Sequence, residues 1–363
     1  MNTVIPVASK CFHLSLRNLR LFPQRSGRPL LKEKLHHDVV SVANLSHTIH
    51  RVKTTQKSIK NPGQTVDLEL SIIDTHPNDK DRPTVVGIHG NPGSSVDFEP
   101  LIQQLSEKNI RFIAPTFPGF ESSEVEPWKL YHLEYTTSAR MSLLEQVLQQ
   151  RHVNRVSVLM CHSAGSWVGY KMAAESELVK SLCLLNPTCA RPHKTLRPQF
   201  VIHFLAWLMR QQSLNFALMP LMEKAYAQIG FTGVKAGAHL MVTQQIISNQ
   251  NFQDTVQHAK QIREKQLPLL FAYALNDKLI EAPVSEDMLF DHLCVPKDSV
   301  MAVDTERNQT PLSTVPSGQD GENRRFAQGL QFARGGHIVH KPHSHIILDR
   351  VLKLLAHVEG NHV

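Results

Sequence analysis

The chain has 363 residues and a formal net charge of +7, and it is 41% hydrophobic, 20% charged and 6% aromatic. This composition excludes collagen-like, disulfide-dense and generally disordered proteins. No window of the sequence approaches the roughly 18 to 20 consecutive apolar residues that a transmembrane helix needs. The length permits one large domain or two ordinary ones, with a sizeable buried core.

Most of the excess positive charge lies in the first part of the chain. Residues 1–32 contain six Lys or Arg and no Asp or Glu, which leaves 33 basic against 32 acidic residues elsewhere. A nearly neutral body has no overall field that would hold a polyanion. The sequence also lacks a basic stripe with interleaved aromatic residues, so a nucleic-acid partner is not expected.

The first forty residues predict a targeting segment. On a helix, Lys10, Arg17 and Arg20 would share one face beside an apolar face. A basic, amphipathic leader over residues 1–40, with no acidic residue before Glu33, is typical of a mitochondrial transit peptide, and it lacks the unbroken apolar stretch of a secretory signal. We therefore predict a mitochondrial location. The alternatives are a basic tail on a cytoplasmic protein and a helix that makes peripheral contact with a membrane.

Five scattered cysteines favour a reducing compartment. No CxxC pair indicates a zinc site or a redox dithiol, so reduced and mostly buried thiols are expected. The cysteines are Cys11, Cys161, Cys183, Cys189 and Cys294.

Beyond the leader, predicted strands and helices alternate along the chain. Strands are predicted at 48–55, 66–74, 83–90, 111–115, 156–160, 179–185 and 267–275, with a short one from residue 330. Helices are predicted at 96–108, 135–150, 164–175, 200–209, 214–227, 236–265 and 346–357. This alternation predicts an α/β fold with a parallel sheet and helices on both faces.

Two segments interrupt the alternation. Residues 188–266 contain only helical patterns, which predicts a helical cap between two parts of an α/β core, residues 41–187 and residues 267–363. Residues 296–325 are rich in polar residues, Pro and Gly, and they predict a mobile loop within the second part.

The segment Met160–Ser166 lies between a predicted strand and a predicted helix. In that context the pattern small-x-Ser-x-Gly is typical of a nucleophile elbow, and Ser163 is the candidate nucleophile. The tight turn requires small side chains two positions before and after the serine. Gly165 meets the second requirement, and Cys161 stands at the first, where glycine is usual.

A second turn, His89–Ser94, follows an earlier strand and is rich in Gly and Pro. An acyl-transfer site needs two backbone N–H groups that stabilise an oxyanion. We predict that one comes from Ala164, beside the N-terminus of its helix, and the other from Asn91 in this turn. The alternative is a Gly/Pro-rich turn without a catalytic role.

An acid and a histidine would complete a candidate triad with Ser163, and Asp277 is the candidate acid. It follows the strand 267–275, at the edge where active sites of open α/β sheets lie, and would orient the histidine. Should Asp277 not serve, Glu281, Glu286 and Asp304 are the other candidate acids.

His337 follows a glycine pair and would take the serine proton and later return it to the leaving group. His340, His343 and His345 come soon after it, but no carboxylate or cysteine accompanies them as a ligand set. We therefore expect no metal site, and histidines that are solvated or packed.

The chain order Ser163, Asp277, His337 is the order of an α/β hydrolase. The sequence resembles the serine-nucleophile branch of that superfamily over residues 45–360. The segments His89–Ser94 and Ile110–Phe120 are similar to an uncharacterised branch abundant in nematodes. The resemblance implies a mostly parallel, eight-stranded sheet, with a helical cap inserted after the sixth strand.

A serine at the elbow argues against the epoxide-hydrolase and dehalogenase branches, which need a carboxylate nucleophile. We therefore predict a serine hydrolase that cleaves an ester or thioester through an acyl-enzyme, without a cofactor. The alternatives are a non-catalytic binding or scaffold protein on this fold, and the same triad acting on a peptide or C–C bond.

The substrate is expected to be a small lipophilic molecule, because the predicted cap is rich in large apolar side chains. The cap residues predicted to bind it are Phe204, Trp207, Leu208, Phe216 and Met219.

Overall fold

A computed structural model describes most of the chain after the leader. The described residues are 48–120, 123, 125–228, 238–305, 308–314 and 325–360. The predicted leader, residues 1–40, lies outside them. Within this part of the chain, no helix is long and apolar enough to cross a membrane.

The strands of the described residues form one sheet. They are β1 (Thr48–Lys57), β2 (Thr65–Asp74), β3 (Thr84–Ile88), β4 (Arg111–Pro115), β5 (Val158–His162), β6 (Leu182–Leu185), β7 (Leu269–Ala274), β8 (Val300–Thr305), β9 (Asn308–Pro311) and β10 (Ala327–Phe332). Their spatial order is β1-β2-β4-β3-β5-β6-β7-β10-β8-β9. The strands β3, β5 and β7 are buried throughout, as expected of apolar, parallel strands covered on both faces.

The sheet is mixed, and it is wider than predicted. Strands β3 to β8 and β10 pair in parallel, whereas β1, β2 and β9 pair antiparallel with their neighbours. The described residues contain ten strands rather than the predicted eight, because β8 and β9 arise from the segment 296–325, predicted as a loop. The strand β9 is polar and mostly exposed at the sheet edge, so its sequence lacks a strand pattern.

Helices cover both faces of the sheet, as predicted. Those described are α1 (Glu99–Glu107), α2 (Pro127–Leu130), α3 (Thr137–Gln150), α4 (Ser166–Glu175), α5 (Gln199–Met209), α6 (Asn215–Gln228), α7 (Ala238–Ser248), α8 (Phe252–Glu264), α9 (Ala282–Glu286) and α10 (Ser344–Glu359). The apolar residues of α1 and α10 pack on one face, and those of α3, α4 and α8 on the other.

The segment 188–266, predicted as a cap, contains four helices between β6 and β7. Helices α5 and α6 both contact α7, whereas α8 packs against α4. The single helix predicted over residues 236–265 is two helices, because α7 ends at Ser248 and a new helix begins after Asn251. The side chain of Asn251 caps α8 by accepting hydrogen bonds from the Gln253 and Asp254 backbone N–H groups.

The four cysteines in the described part of the chain are free thiols. Cys161, Cys183 and Cys189 are buried, and Cys294 is exposed. Burial raises the pKa of each of the three buried thiols. They are therefore protonated and packed in the core. Cys11 lies outside the described residues.

Candidate active site

The three predicted triad residues meet at the carboxyl ends of β5, β7 and β10. The Ser163 Oγ and His337 Nε2 atoms are 2.8 Å apart, and His337 Nδ1 and Asp277 Oδ2 are also 2.8 Å apart. An ionised carboxylate only accepts hydrogen bonds, so Nδ1 carries the proton and Nε2 accepts from the serine hydroxyl. The arrangement can move the serine proton onto the imidazole.

The other predicted acids lie outside this triad. Glu281 accepts a hydrogen bond from the Lys194 backbone N–H and pairs with Arg197. Glu286 lies at the Tyr273 hydroxyl, and Asp304 is exposed on β8. The geometry therefore assigns the carboxylate beside His337 to Asp277.

Ser163 occupies a strained turn. Its φ is +49°, in the left-handed region, and the turn Ser163–Gly165 leads directly into α4. A Cβ atom on Gly165 would lie 2.5 Å from the Ile88 carbonyl oxygen and 2.6 Å from that of His89. Glycine is therefore required there by close backbone packing.

Cys161 is accommodated from the opposite side. A Cβ atom on Gly169, one helical turn into α4, would collide with the Cys161 sulfur. Gly169 on the helix therefore leaves room for the Cys161 side chain on the strand, where glycine is usual. The tight turn can form because one of these two facing residues is glycine.

The turn after β3 packs against the nucleophile. A Cβ atom on Gly90 would lie 3.1 Å from the Ser163 Cβ atom and 3.0 Å from His162 Nδ1. Asn91 and Ala164, the residues predicted to supply the oxyanion donors, both line the cavity that contains Ser163.

His89 fixes the start of this turn. The Phe117 backbone N–H donates to His89 Nε2 at 3.0 Å, so Nδ1 carries the proton and donates to the Gly90 carbonyl oxygen at 2.7 Å. Burial lowers the pKa of His89 to about 3, which keeps the ring neutral.

Asn186, which the sequence analysis missed, supports the acid. It follows β6 with φ +41°, and its Nδ2 donates to Asp277 Oδ2 at 2.7 Å and to the Gly336 carbonyl oxygen at 3.2 Å. The Leu279 and Ile280 backbone N–H groups donate to Asp277 Oδ1 at 2.8 and 3.2 Å. The only sequence signal for Asn186 is a polar residue after a predicted strand.

These donors keep Asp277 ionised. Burial opposes its ionisation, but the hydrogen bond from His337, the electrostatic effect of that ring and the surrounding donors outweigh burial. Together they hold the pKa of Asp277 below its ordinary value. An ionised Asp277 can stabilise an imidazolium at His337.

His162 is a second missed residue. It is buried, and its Nε2 donates to the His337 carbonyl oxygen at 3.0 Å. Burial, followed by the neighbouring rings of His340 and His337, lowers the pKa of His162 well below its ordinary value. This neutral imidazole therefore contacts both the turn that contains His337 and Gly90 in the turn after β3.

Two of the histidines after His337 bond to backbone carbonyl groups. His340 Nε2 donates to the Asp97 carbonyl oxygen at 3.0 Å, and His343 Nε2 donates to that of Arg334 at 2.8 Å. No group of three His, Cys, Asp or Glu residues in the described part of the chain is arranged to hold a metal ion.

Comparison with known proteins identifies the family. Residues 48–356 match the family described as "Alpha/beta hydrolase of unknown function (DUF1057)". The chain belongs to this α/β-hydrolase family. An uncharacterised protein of Caenorhabditis elegans is 26% identical over 259 residues, 68% of this chain and 71% of that protein. A haloalkane dehalogenase of Psychrobacter cryohalolentis is 28% identical over 110 residues, 30% of this chain and 34% of that protein.

Solved structures show the same fold. A thermophilic esterase of Thermogutta terrifontis has a TM-score of 0.54 at 16% identity, covering 85% of this chain and 99% of its own. An enol-lactonase of Burkholderia xenovorans has a TM-score of 0.54 at 14% identity, covering 84% of this chain and 100% of its own. The predicted α/β-hydrolase fold, and the resemblance to an uncharacterised nematode family, are confirmed.

In this α/β hydrolase a cavity of about 210 Å³ opens in front of Ser163. Its inner part is formed by Ser163, His337 and the turn after β3, and its outer part by the segment between β6 and β7. Among the described residues the wall contains Asn91, Ser163, Ala164, Trp167, Thr188, His193, Thr195, Leu196, Ile202, Leu205, Met222, Ala225, Tyr226, Thr243, Gln244, Ile247, Leu279, Ile280 and His337.

The cap residues predicted to bind substrate do not form this wall. Phe204 and Trp207 are 57% and 60% exposed on the outer face of α5, where their rings stack on each other. Met219 is buried in the apolar core, Leu208 is half-buried away from the cavity wall, and the side chain of Phe216 lies outside the described residues. Helix α5 is apolar around most of its circumference, so hydrophobicity does not mark its inner face.

Proposed function

We propose that this protein is a serine hydrolase that cleaves a neutral ester or thioester through an acyl-enzyme. The observation that carries the proposal is the continuous hydrogen-bonded path from Ser163 Oγ through His337 to Asp277, with 2.8 Å at each step. The path ends in a cavity whose described wall contains no Lys, Arg, Asp or Glu. A neutral substrate is therefore the one that this cavity accommodates without burying an unpaired charge.

In the first half-reaction, Ser163 Oγ attacks the substrate carbonyl carbon while its proton moves to His337 Nε2. The tetrahedral oxyanion accepts hydrogen bonds from the backbone N–H groups of Asn91 and Ala164. The carbon–oxygen or carbon–sulfur bond then breaks, and His337 gives its proton to the departing alcohol or thiol. Asp277 stabilises the imidazolium throughout this step.

In the second half-reaction, water attacks the acyl-enzyme and gives a proton to His337. The resulting tetrahedral species expels Ser163, which recovers its proton, and the carboxylic acid leaves. The two half-reactions require no electron transfer and no co-reactant other than water.

Similarity to a haloalkane dehalogenase does not extend the proposal to dehalogenation. That chemistry displaces halide with a carboxylate nucleophile to form an alkyl ester. The residue at the turn after β5 is Ser163, whose hydroxyl is hydrogen-bonded to a histidine that can act as a base. Acyl transfer is the reaction that this nucleophile and base support.

The decisive experiment is active-site labelling with a fluorophosphonate probe. Wild-type protein is expected to be labelled at Ser163, and Ser163→Ala and His337→Ala are expected to abolish the labelling. Ser166→Ala is the matched control, because Ser166 also lies in the α4 turn but donates its hydroxyl hydrogen bond to the Ser163 carbonyl oxygen. Equal labelling of wild type and Ser163→Ala would reject the proposal.

We also propose that residues 1–40 direct the protein to mitochondria. The support is the amphipathic basic pattern of this leader, whose first 32 residues contain no Asp or Glu. A fusion of residues 1–40 to a fluorescent reporter is expected to enter mitochondria, and a variant with Arg17, Arg20 and Arg25 changed to Gln is expected to stay outside. A diffuse signal from the unmodified fusion would reject this location.

A further inference from the structure

Three residues of the cavity wall have a buried polar atom that lacks a partner among the described residues, and two of them, Thr243 and Asn91, are hydrogen-bonded to each other. Thr243 on α7 is 2% exposed, and its Oγ1 makes no hydrogen bond within this part of the protein. The Oδ1 atom of Asn91, in the turn after β3, is also buried and unpaired there. Both residues line the cavity that contains Ser163. Leaving a buried polar atom unpaired is unfavourable, so such atoms point to a ligand that bonds them.

A hydrogen bond holds these two residues together. Asn91 Nδ2 donates to the Thr243 backbone carbonyl oxygen at 3.0 Å. Because a carbonyl oxygen can only accept, this bond fixes which end of the Asn91 amide is the nitrogen. Asn91 Oδ1 is therefore a hydrogen-bond acceptor without a partner among the described residues. The backbone N–H of the same residue is proposed to stabilise the oxyanion.

Most other polar side chains of the wall are already paired. The Tyr226 hydroxyl donates to Gln244 Oε1 at 3.1 Å, and Gln244 Nε2 donates to the Ile202 carbonyl oxygen at 2.9 Å. His193 Nδ1 lies 2.8 Å from the Thr195 hydroxyl. Trp167 also has an unpaired indole nitrogen, but its side chain lines a second cavity as well.

The chemistry of the pair selects a particular substrate group. Asn91 Oδ1 accepts a hydrogen bond, and the Thr243 hydroxyl both donates and accepts. A substrate hydroxyl can donate to Asn91 and accept from Thr243 at the same time. An apolar group would leave both protein atoms unpaired, and an ionised carboxylate or phosphate would meet the Asn91 acceptor without a compensating positive charge.

We propose that Asn91 and Thr243 form a subsite for a hydroxyl group of the substrate, so the preferred substrates are neutral hydroxyl-bearing esters or thioesters. This inference rests on the proposed serine-hydrolase function and narrows its substrate class. A site built to bond a hydroxyl discriminates strongly against an analogue that lacks it, because its own polar atoms are then left unpaired.

The test uses two pairs of esters in which a methyl group replaces the hydroxyl. Methyl 3-hydroxybutanoate is compared with methyl 3-methylbutanoate, and 2-hydroxyethyl butanoate with propyl butanoate, so the acyl and alcohol sides are probed separately. Hydrolysis is followed by pH-stat titration. Wild-type protein is expected to favour the hydroxyl member of at least one pair by about 10-fold or more in kcat/KM.

The variant Thr243→Val replaces the hydroxyl by a methyl group of similar size. It is expected to reduce the hydroxyl preference by about 10-fold, the factor that corresponds to one hydrogen bond. Thr243→Ser keeps the hydroxyl and is expected to retain most of the preference. Thermal unfolding of both variants checks that they are folded. The ratio of kcat/KM for the hydroxyl ester to that for its methyl analogue does not depend on the fraction of active protein.

The following results would overturn either the proposed subsite or the proposed function. Equal or faster hydrolysis of the methyl analogues in both pairs overturns the subsite, as does an unchanged ratio in Thr243→Val. Fluorophosphonate labelling at Ser163 without turnover of either hydroxyl ester also rejects the subsite while leaving the serine-hydrolase proposal intact. Absence of both labelling and hydrolysis rejects the proposed function itself, and the subsite falls with it.

Discussion

The cavity in front of Ser163 has a floor and a roof that are held by different forces. We call the turns after β3, β5, β6, β7 and β10 the floor, and helices α5, α6 and α7 the roof. The floor is a network of short, directional hydrogen bonds around Asp277 and His337. The roof meets the cavity mainly with apolar side chains such as Ile202, Leu205 and Met222.

This difference predicts different responses to substitution. In the floor, replacing one side-chain atom can break a directional hydrogen bond that fixes the position of a proton. Such small substitutions are therefore expected to have large effects on kcat. In the roof, apolar packing is less directional and tolerates changes of volume at a moderate cost. Four predictions test the comparison, beginning with the largest expected effect.

The first prediction concerns the replacement of one Asp277 carboxylate oxygen by an amide nitrogen. Asp277→Asn is expected to lower kcat by about 10⁴-fold, because an amide donor facing His337 Nδ1 favours the wrong tautomer of the imidazole. Glu281→Gln is the matched control, since this nearby carboxylate bonds to the Lys194 backbone and Arg197. Steady-state hydrolysis should show no more than a few-fold change for the control. A greater loss in Glu281→Gln than in Asp277→Asn would transfer the role of acid to Glu281.

The second prediction concerns the loss of stability at low pH, which we attribute to four buried histidines near the floor. Burial lowers the pKa of His193 and His340 to about 4 and that of His89 to about 3, and it also lowers that of His162, all from 6.5. Each ring stays neutral in the folded protein while the unfolded chain takes up a proton. These groups therefore stabilise the fold above pH 6.5, and that stability is lost as the pH falls toward the folded pKa values.

The expected slope is about 1.4 kcal/mol of unfolding free energy per pH unit for each histidine that remains neutral. Urea unfolding at pH 7.5, 6.5 and 5.5 measures it. His340→Phe removes one such group and should flatten the pH dependence, whatever its effect on stability at pH 7.5. A free energy of unfolding that does not change between pH 7.5 and 5.5 would contradict the neutral, buried state of these rings.

The sequence was most informative about the floor. Ser163, Asp277 and His337 each follow a predicted strand within a short local pattern, and parallel strands bring such positions to one edge of the sheet. Asn186 belongs to the same edge but has no motif, because its role depends on meeting Asp277 from a different strand. His162 was similarly hidden, since nothing adjacent in sequence indicates its bond to the His337 carbonyl group.

The roof and the sheet edge were harder to predict for physical reasons. Helix α5 has apolar residues on both its inner and outer faces, so the sequence did not separate Leu205, which lines the cavity, from Trp207, which is exposed. The strand β9 is polar because it lies at the sheet edge, and it pairs through its backbone with β8. In both places the structure depends on neighbours that are distant in sequence.

The third prediction tests His162 as a positioning residue of the floor. His162→Leu removes the donor to the His337 carbonyl oxygen and is expected to lower kcat by about 10- to 100-fold with little change in KM. His162→Gln keeps an N–H donor on a longer side chain and should recover part of the rate. A purely structural role would give equal losses in both variants, or a change confined to the amount of folded protein.

The fourth prediction compares the two faces of α5. Leu205→Ala enlarges the cavity and is expected to shift the preferred ester toward a longer apolar chain, with changes in KM of a few-fold. Trp207→Ala acts on the exposed face, so its kcat and KM should stay within about twofold and its unfolding free energy within about 0.5 kcal/mol. Kinetics over a series of esters of increasing chain length measures both effects. A changed chain-length preference in Trp207→Ala, with none in Leu205→Ala, would mean that α5 presents its other face to the substrate, and the roof would have to be redefined around the stacked pair of Phe204 and Trp207.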